Sequence, residues 1–226
     1  MLSLISIHVP KTAGTNFTET LRLIYGKRIH FDYGTERDLT AARTCAPSIL
    51  AKPEKFRKKF DVIHGHFHYP KYAEVFGDVP VLATLRHPVA RVVSQYRHVA
   101  LNGDRNNDRH RKIMDGEMDV VEFSKIRFIG NAQSEFLKDM PIERLAHAII
   151  QEHFAETVEA FCEGVGFDPN HPKIQALVAK PINSREDRAW DTKAIPLDPA
   201  AYPLIEENCA DDIILYNQAL DRFVGK

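Results

Sequence analysis

The sequence predicts an α/β protein in three layers, with a central, mostly parallel sheet flanked by helices. Three observations lead there. Apolar, β-branched runs alternate with helical periodicities through the first hundred residues, as crossover connections between parallel strands require. Three of those runs end at once in a polar turn carrying Lys, His or Arg. At 226 residues, 44% of them apolar, the chain is long enough to cover both faces of a sheet within one domain spanning 1–226.

The elements follow in order. Leu2 to Val9 reads as a buried strand, Pro10 to Asn16 as a tight polar loop, and Phe17 to Tyr25 as a helix stopped by Gly26. Residues 27–60 are mixed, with a basic stretch from Lys52 to Lys59. Asp61 to His64 is a second short strand that runs into Gly65-His66-Phe67-His68. Val79 to Leu85 is a third, followed by Arg86-His87-Pro88. Pro88 suits the first turn of a helix reaching about Leu101, because its missing N–H costs nothing there. Gly103 to Lys112 is polar and aperiodic and reads as a mobile, solvated loop. Helical patches are expected around 120–126 and 132–138, a strand at Leu145–Ile150, a helix at Phe154–Cys162, and a final amphipathic helix from Leu204 to Phe223.

Composition narrows the function. The chain carries 30 basic and 31 acidic residues, so its total charge offers no case for nucleic acid or a membrane surface. Cys45, Cys162 and Cys209 fit no metal-ligand or CxxC spacing and are expected as reduced thiols, hence a cytoplasmic setting. The apolar run at the start is too short for a bilayer and has no basic region before it, so neither a signal peptide nor a membrane span is expected.

Parallel sheets bind ligands at the carboxyl ends of their strands, and Lys11, His66 and Arg86 each lie just past one. In the loop Pro10-Lys11-Thr12-Ala13-Gly14-Thr15-Asn16, a lysine and several side-chain donors surround a helix N-terminus, which favours an anion. The order is not that of a Walker A loop, since Lys11 precedes the glycine. The strand Val79–Leu85 ends in Arg86, not in a magnesium-holding acid, so an anionic nucleotide without a metal is expected.

His8-Val9-Pro10-Lys11-Thr12-Ala13-Gly14-Thr15-Asn16-Phe17 resembles the 5′-phosphosulfate loop of sulfotransferases that use PAPS (3′-phosphoadenosine 5′-phosphosulfate). The similarity is greatest to the heparan sulfate and uronyl 2-O-sulfotransferase branch. Leu85-Arg86-His87-Pro88 through Ser94-Gln95-Tyr96 is similar to that branch's 3′-phosphate motif, and Ile63-His64-Gly65-His66-Phe67 to its His-Gly-His segment. Two departures stand out: His87 occupies a position where an acid is usual, and the later block lacks the basic residue that is usual near Glu135.

The resemblance implies a P-loop-like fold and a PAPS-dependent O-sulfotransferase acting on a hydroxyl of a carbohydrate, with PAP (3′-phosphoadenosine 5′-phosphate) as product. It assigns the 3′-phosphate to Arg86 and Ser94, and the phosphosulfate to Lys11 with Pro10, Thr12, Ala13, Gly14, Thr15 and Asn16. Gly14 serves shape, and Lys11 stabilises charge developing on the leaving phosphate. His66 is the expected general base, with His64 as its neighbour and His68 as a further candidate. His64 and His66 are read as facing opposite ways, so that only one reaches the reacting centre. Two other readings stand beside this one: a nucleotide or adenylylsulfate kinase, and a nucleotide-binding scaffold without catalysis.

Overall fold

A computed structural model describes residues 1–12, 14–33, 39–179 and 198–225. In chain order the elements are β1 (Leu4–His8), α1 (Gly14–Tyr25), β2 (Ile29–Asp32), α2 (Leu39–Arg43), α3 (Pro47–Leu50), α4 (Pro53–Lys59), β3 (Val62–Gly65), α5 (Pro70–Phe76), β4 (Val81–Leu85) and α6 (Pro88–Asn102). Then come α7 (Asp108–Met114), α8 (Val120–Ser124), α9 (Arg127–Gly130), α10 (Ala132–Phe136), β5 (Leu145–Ile150), α11 (Phe154–Gly164), α12 (Pro172–Val178), α13 (Ala201–Asn208) and α14 (Ala210–Phe223). Helices α3, α4, α5, α6 and α12 all open on proline, a position where the missing donor is harmless.

The sheet has five strands in the order β2-β3-β1-β4-β5, and every pairing is parallel. All residues of β1, β3 and β4 are buried, because helices cover both faces of a parallel sheet. Alternation along β1 sends Ile5 and Ile7 into one core with Phe67, Tyr72, Phe76, Leu85 and Tyr216. It sends Leu4 into the other, with Phe17, Leu21, Leu82, Phe154 and Phe161. A third cluster joins α6 and α8 to α13 through Val92, Phe123 and Ile205.

Three expectations change. The mixed stretch contains an edge strand, β2, whose four residues give too little alternation to read. The segment 103–112 is not wholly a loop: α7 starts at Asp108, with the Asn107 side chain accepting the His110 N–H at 3.2 Å. Its charges are held in ion pairs, Arg111 and Lys112 with Asp108 and Arg105 with Asp115, while Arg109 lies over Phe128. The final helix is two helices, broken at Cys209.

β1 lies between β3 and β4, and the chain leaves β1 toward one edge and returns to build the other. The crevice past β1 and β4 is therefore the switch point of the sheet, where parallel folds place ligands.

Candidate active site

Two neighbouring strands deliver the two basic side chains. Lys11 follows β1 and Arg86 follows β4, and Arg86 Nη1 donates to the Lys11 carbonyl at 3.3 Å. Lys11 has a φ of 72°, in the left-handed region that a β-carbon disfavours. Backbone strain of this kind costs about 1–3 kcal/mol and gathers at functional loops. Pro10 precedes it in the same turn.

Residues of the expected cradle divide by where they point. Thr12 turns inward: it is fully buried, and its hydroxyl lies 2.6 Å from the Val9 carbonyl and 2.5 Å from Thr84 Oγ1. It can offer a ligand only its backbone. Thr15 and Asn16 sit in the first turn of α1, which carries no acid, with Thr15 exposed and Asn16 half-buried. Ala13 lies outside the described residues. Gly14 opens α1, and a β-carbon there would come within 1.8 Å of His8 Nε2. The space that this glycine provides is filled by an imidazole.

Arg86 is held at two points. Its backbone N–H donates to Gln133 Oε1 at 2.8 Å, and its guanidinium reaches Lys11. Its Nε is buried without a hydrogen-bond partner among the described residues. Burial pushes the guanidinium pKa down, and the Glu152 carboxylate opposes that. The guanidinium lies beside the start of α6, whose first turn carries no acid, a setting that favours an anion. Ser94 lies in the second turn of α6, half-buried, about 9 Å along the helix axis from Pro88.

The histidines do not face opposite ways. Residues two apart on an extended chain share a face, and His64 and His66 both lie against His8, with ring centroids 5.6 and 4.4 Å away. They differ in depth. His64 is fully buried, with Nδ1 2.9 Å from Ser6 Oγ and Nε2 2.9 Å from Thr18 Oγ1. The Thr18 hydroxyl donates to the Gly14 carbonyl at 2.7 Å, so it accepts from His64 Nε2–H, and Nδ1 accepts from Ser6. Burial lowers the His64 pKa to about 3, which keeps the ring neutral.

His66 is half-buried, and its Nδ1 lies 2.5 Å from the His8 carbonyl. A carbonyl only accepts, so the proton sits on Nδ1 and Nε2 is the basic nitrogen of the neutral ring. The preceding Gly65 lets β2 approach, since a β-carbon there would meet the Asp32 carbonyl at 1.9 Å. That carbonyl accepts the His66 N–H at 2.9 Å. His68 departs from the group: its ring stacks on Phe136, and Nδ1 bonds the Glu135 carbonyl at 2.7 Å.

His8 and Tyr33 complete the cluster, and neither was singled out by sequence. His8 Nδ1 lies 2.9 Å from the Tyr33 hydroxyl, and Tyr33 stands edge-on to His66 at 4.7 Å. Burial, with His66 and His64 adding to it, holds the His8 pKa well below its ordinary value. Alternation along β1 was the available signal, since it puts His8 on the same side as Ser6. A groove of about 390 Å³ opens in front of these rings, between Thr15, Arg22, Phe31, Tyr33 and His66. Among the described residues no group of His, Cys, Asp or Glu could hold a metal ion.

A parallel sheet with a basic strand–loop–helix at its switch point defines an α/β protein of P-loop-like architecture. More particularly, the chain belongs to the sulfotransferase family, whose sequence profile matches residues 2–176. Its fold is similar to that of mouse sulfotransferase SULT7A1, solved in complex with PAP. That likeness has a TM-score of 0.54 at 12% identity and covers 96% of this chain and 86% of the other. No curated protein matches.

Proposed function

We propose that this sulfotransferase moves the sulfuryl group of PAPS to a hydroxyl, with a carbohydrate as acceptor. The observation that supports the reading is the hydrogen bond from the Arg86 guanidinium to the Lys11 backbone carbonyl, which joins the two basic loops at the ends of adjacent strands. Arg86 and Ser94 would take the 3′-phosphate, a forked guanidinium and a hydroxyl suiting a dianion. Lys11, the N–H groups opening α1, and the side chains of Thr15 and Asn16 would hold the phosphosulfate, with Pro10 and Thr12 shaping the turn.

The bond from the acceptor oxygen to sulfur forms as the bridge from sulfur to the 5′-phosphate breaks. The electron pair leaves with PAP, and Lys11 stabilises the charge that develops there. His66 Nε2 takes the acceptor proton, and the His8 carbonyl on Nδ1 keeps that nitrogen basic and aimed. His64 acts as a positioning residue, tying β3 to the start of α1 through Thr18. The acceptor enters the groove against Phe31 and Tyr33, whose stacked rings give a sugar an apolar face to lie on. Three buried, unpaired thiols suit a reducing, cytoplasmic setting. No helix among the described residues is long and apolar enough to cross a membrane.

Calorimetric titration with PAP, AMP and ATP tests the reading. PAP should bind most tightly, and without magnesium. Preference for ATP with magnesium would favour a phosphoryl transferase and sink it.

A further inference from the structure

The turn that carries Arg86 is held by side chains from elsewhere in the chain, and these are held in turn by α14. Two consecutive backbone N–H groups leave β4 with no strand partner. That of Arg86 donates to Gln133 Oε1 at 2.8 Å, and that of His87 to Glu152 Oε1 at 3.1 Å. Each acceptor is fastened to one face of α14. The Asp212 carboxylate accepts the N–H groups of Gln133 (3.1 Å) and Ser134 (2.7 Å), and the Tyr216 hydroxyl donates to Glu152 Oε2 at 3.0 Å. Asp212 and Tyr216 are four residues apart, so they stand one turn above each other.

The attachment is reciprocal and buried. The Asn131 side chain accepts the Asp212 N–H at 3.1 Å and donates to the Asn208 carbonyl at 2.9 Å, so α10 and α14 complete each other's first turns. Asp212 and Gln133 are fully buried, and Arg91 Nε lies 4.0 Å from Asp212. Tyr216 also packs edge-on against the His87 ring at 5.5 Å. α14 lies beyond residue 176, where the family profile stops.

We propose that α14 is a positioning element for nucleotide binding, with Tyr216 acting through Glu152, and Asp212 through Gln133, to fix the Arg86–His87 turn and so the grip of Arg86 on a 3′-phosphate. This rests on the assignment of that phosphate to Arg86. Its logic is preorganisation: a guanidinium already aimed binds more tightly than one that must first be ordered.

The test is a double-mutant cycle on the full chain, read as dissociation constants for PAP and AMP. Tyr216→Phe is chosen because Asp212 is buried beside Arg91, and its loss would endanger folding. Tyr216→Phe should weaken PAP about 3- to 10-fold, the range for one hydrogen bond, and AMP less than about twofold. In an Arg86→Ala background the same substitution should cost PAP nothing further. Equal loss for both ligands, or a loss that persists without Arg86, overturns the inference and leaves a merely structural tyrosine. Unchanged PAP affinity in a chain that prefers PAP overturns it alone. A wild-type chain with no preference for PAP over AMP overturns the 3′-phosphate assignment and this inference with it.

Discussion

Arg86 Nη1 donates to the backbone carbonyl of Lys11, so the residue that follows β4 is tied to the strained residue that follows β1. The two loops to which the proposal assigns the phosphates are thus tied together. Arg86→Ala removes the guanidinium and this tie together. PAP should lose about tenfold or more in affinity, as for a charge-assisted contact. Ligands without the 3′-phosphate should lose little; equal losses for PAP and AMP would remove that role from Arg86.

Lys11 separates charge from conformation. Lys11→Ala should cut turnover about a hundredfold or more, as measured by transfer from radiolabelled PAPS. Lys11→Gly should be equally inactive yet more stable, because glycine adopts a φ of 72° without a β-carbon penalty. Relief of about 1 kcal/mol would raise the melting temperature about 2–4 °C in a chain of this size. A glycine variant that melts below the alanine variant would show that the strain is not there.

Gly14 faces an imidazole. Gly14→Ala puts a β-carbon 1.8 Å from His8 Nε2, so either the loop or the ring must move. Overpacking of this kind costs about 1–3 kcal/mol, seen as a lower melting temperature. His8→Ala should remove most of that cost, so Gly14→Ala made in a His8→Ala chain should be nearly neutral. Were the cost the same in both backgrounds, a phosphate-facing role for Gly14 would be favoured instead.

His66→Ala should leave PAP affinity intact while abolishing transfer, because His66 is assigned to the acceptor proton and not to the nucleotide. Retained transfer would move the base elsewhere in the cluster, with His8 the nearest ring.

Stability should fall on mild acidification. His64 titrates at about 3 in the folded chain, against an ordinary value near 6.5, so unfolding takes up a proton at intermediate pH. Its contribution is fully present above about pH 6.5 and is lost as pH drops toward 3. The slope is about 1.4 kcal/mol per pH unit for one such ring. His8, shifted the same way, adds to it. Denaturant unfolding at pH 7 and pH 5 measures the slope, and His64→Gln should flatten it. An unchanged slope would mean that His64 is protonated in the native state.

Much of this molecule was legible in one dimension. The loop after β1, Arg86 after β4, the proline-opened α6 and the parallel α/β class are all local patterns. Periodicity, a helix start or a residue just past a strand can each be read within a dozen positions. Short elements resisted: β2 is four residues long, and the polar start of α7 hides its helix.

The order of residues fixes the chemistry at each strand end: lysine with a helix start, histidine on an extended segment, arginine before a proline. Which of those groups meet depends on how the strands pair in space. The order β2-β3-β1-β4-β5 brings His8, Tyr33, His64 and His66 together from three strand ends, and turns His68 away. Packing then buries His64, turns Thr12 inward, and sets Asp212 and Tyr216 behind Arg86 from more than a hundred residues away. Hydrogen bonding between strands and burial among helices follow from which elements become neighbours, and that arrangement leaves no periodic trace along the chain.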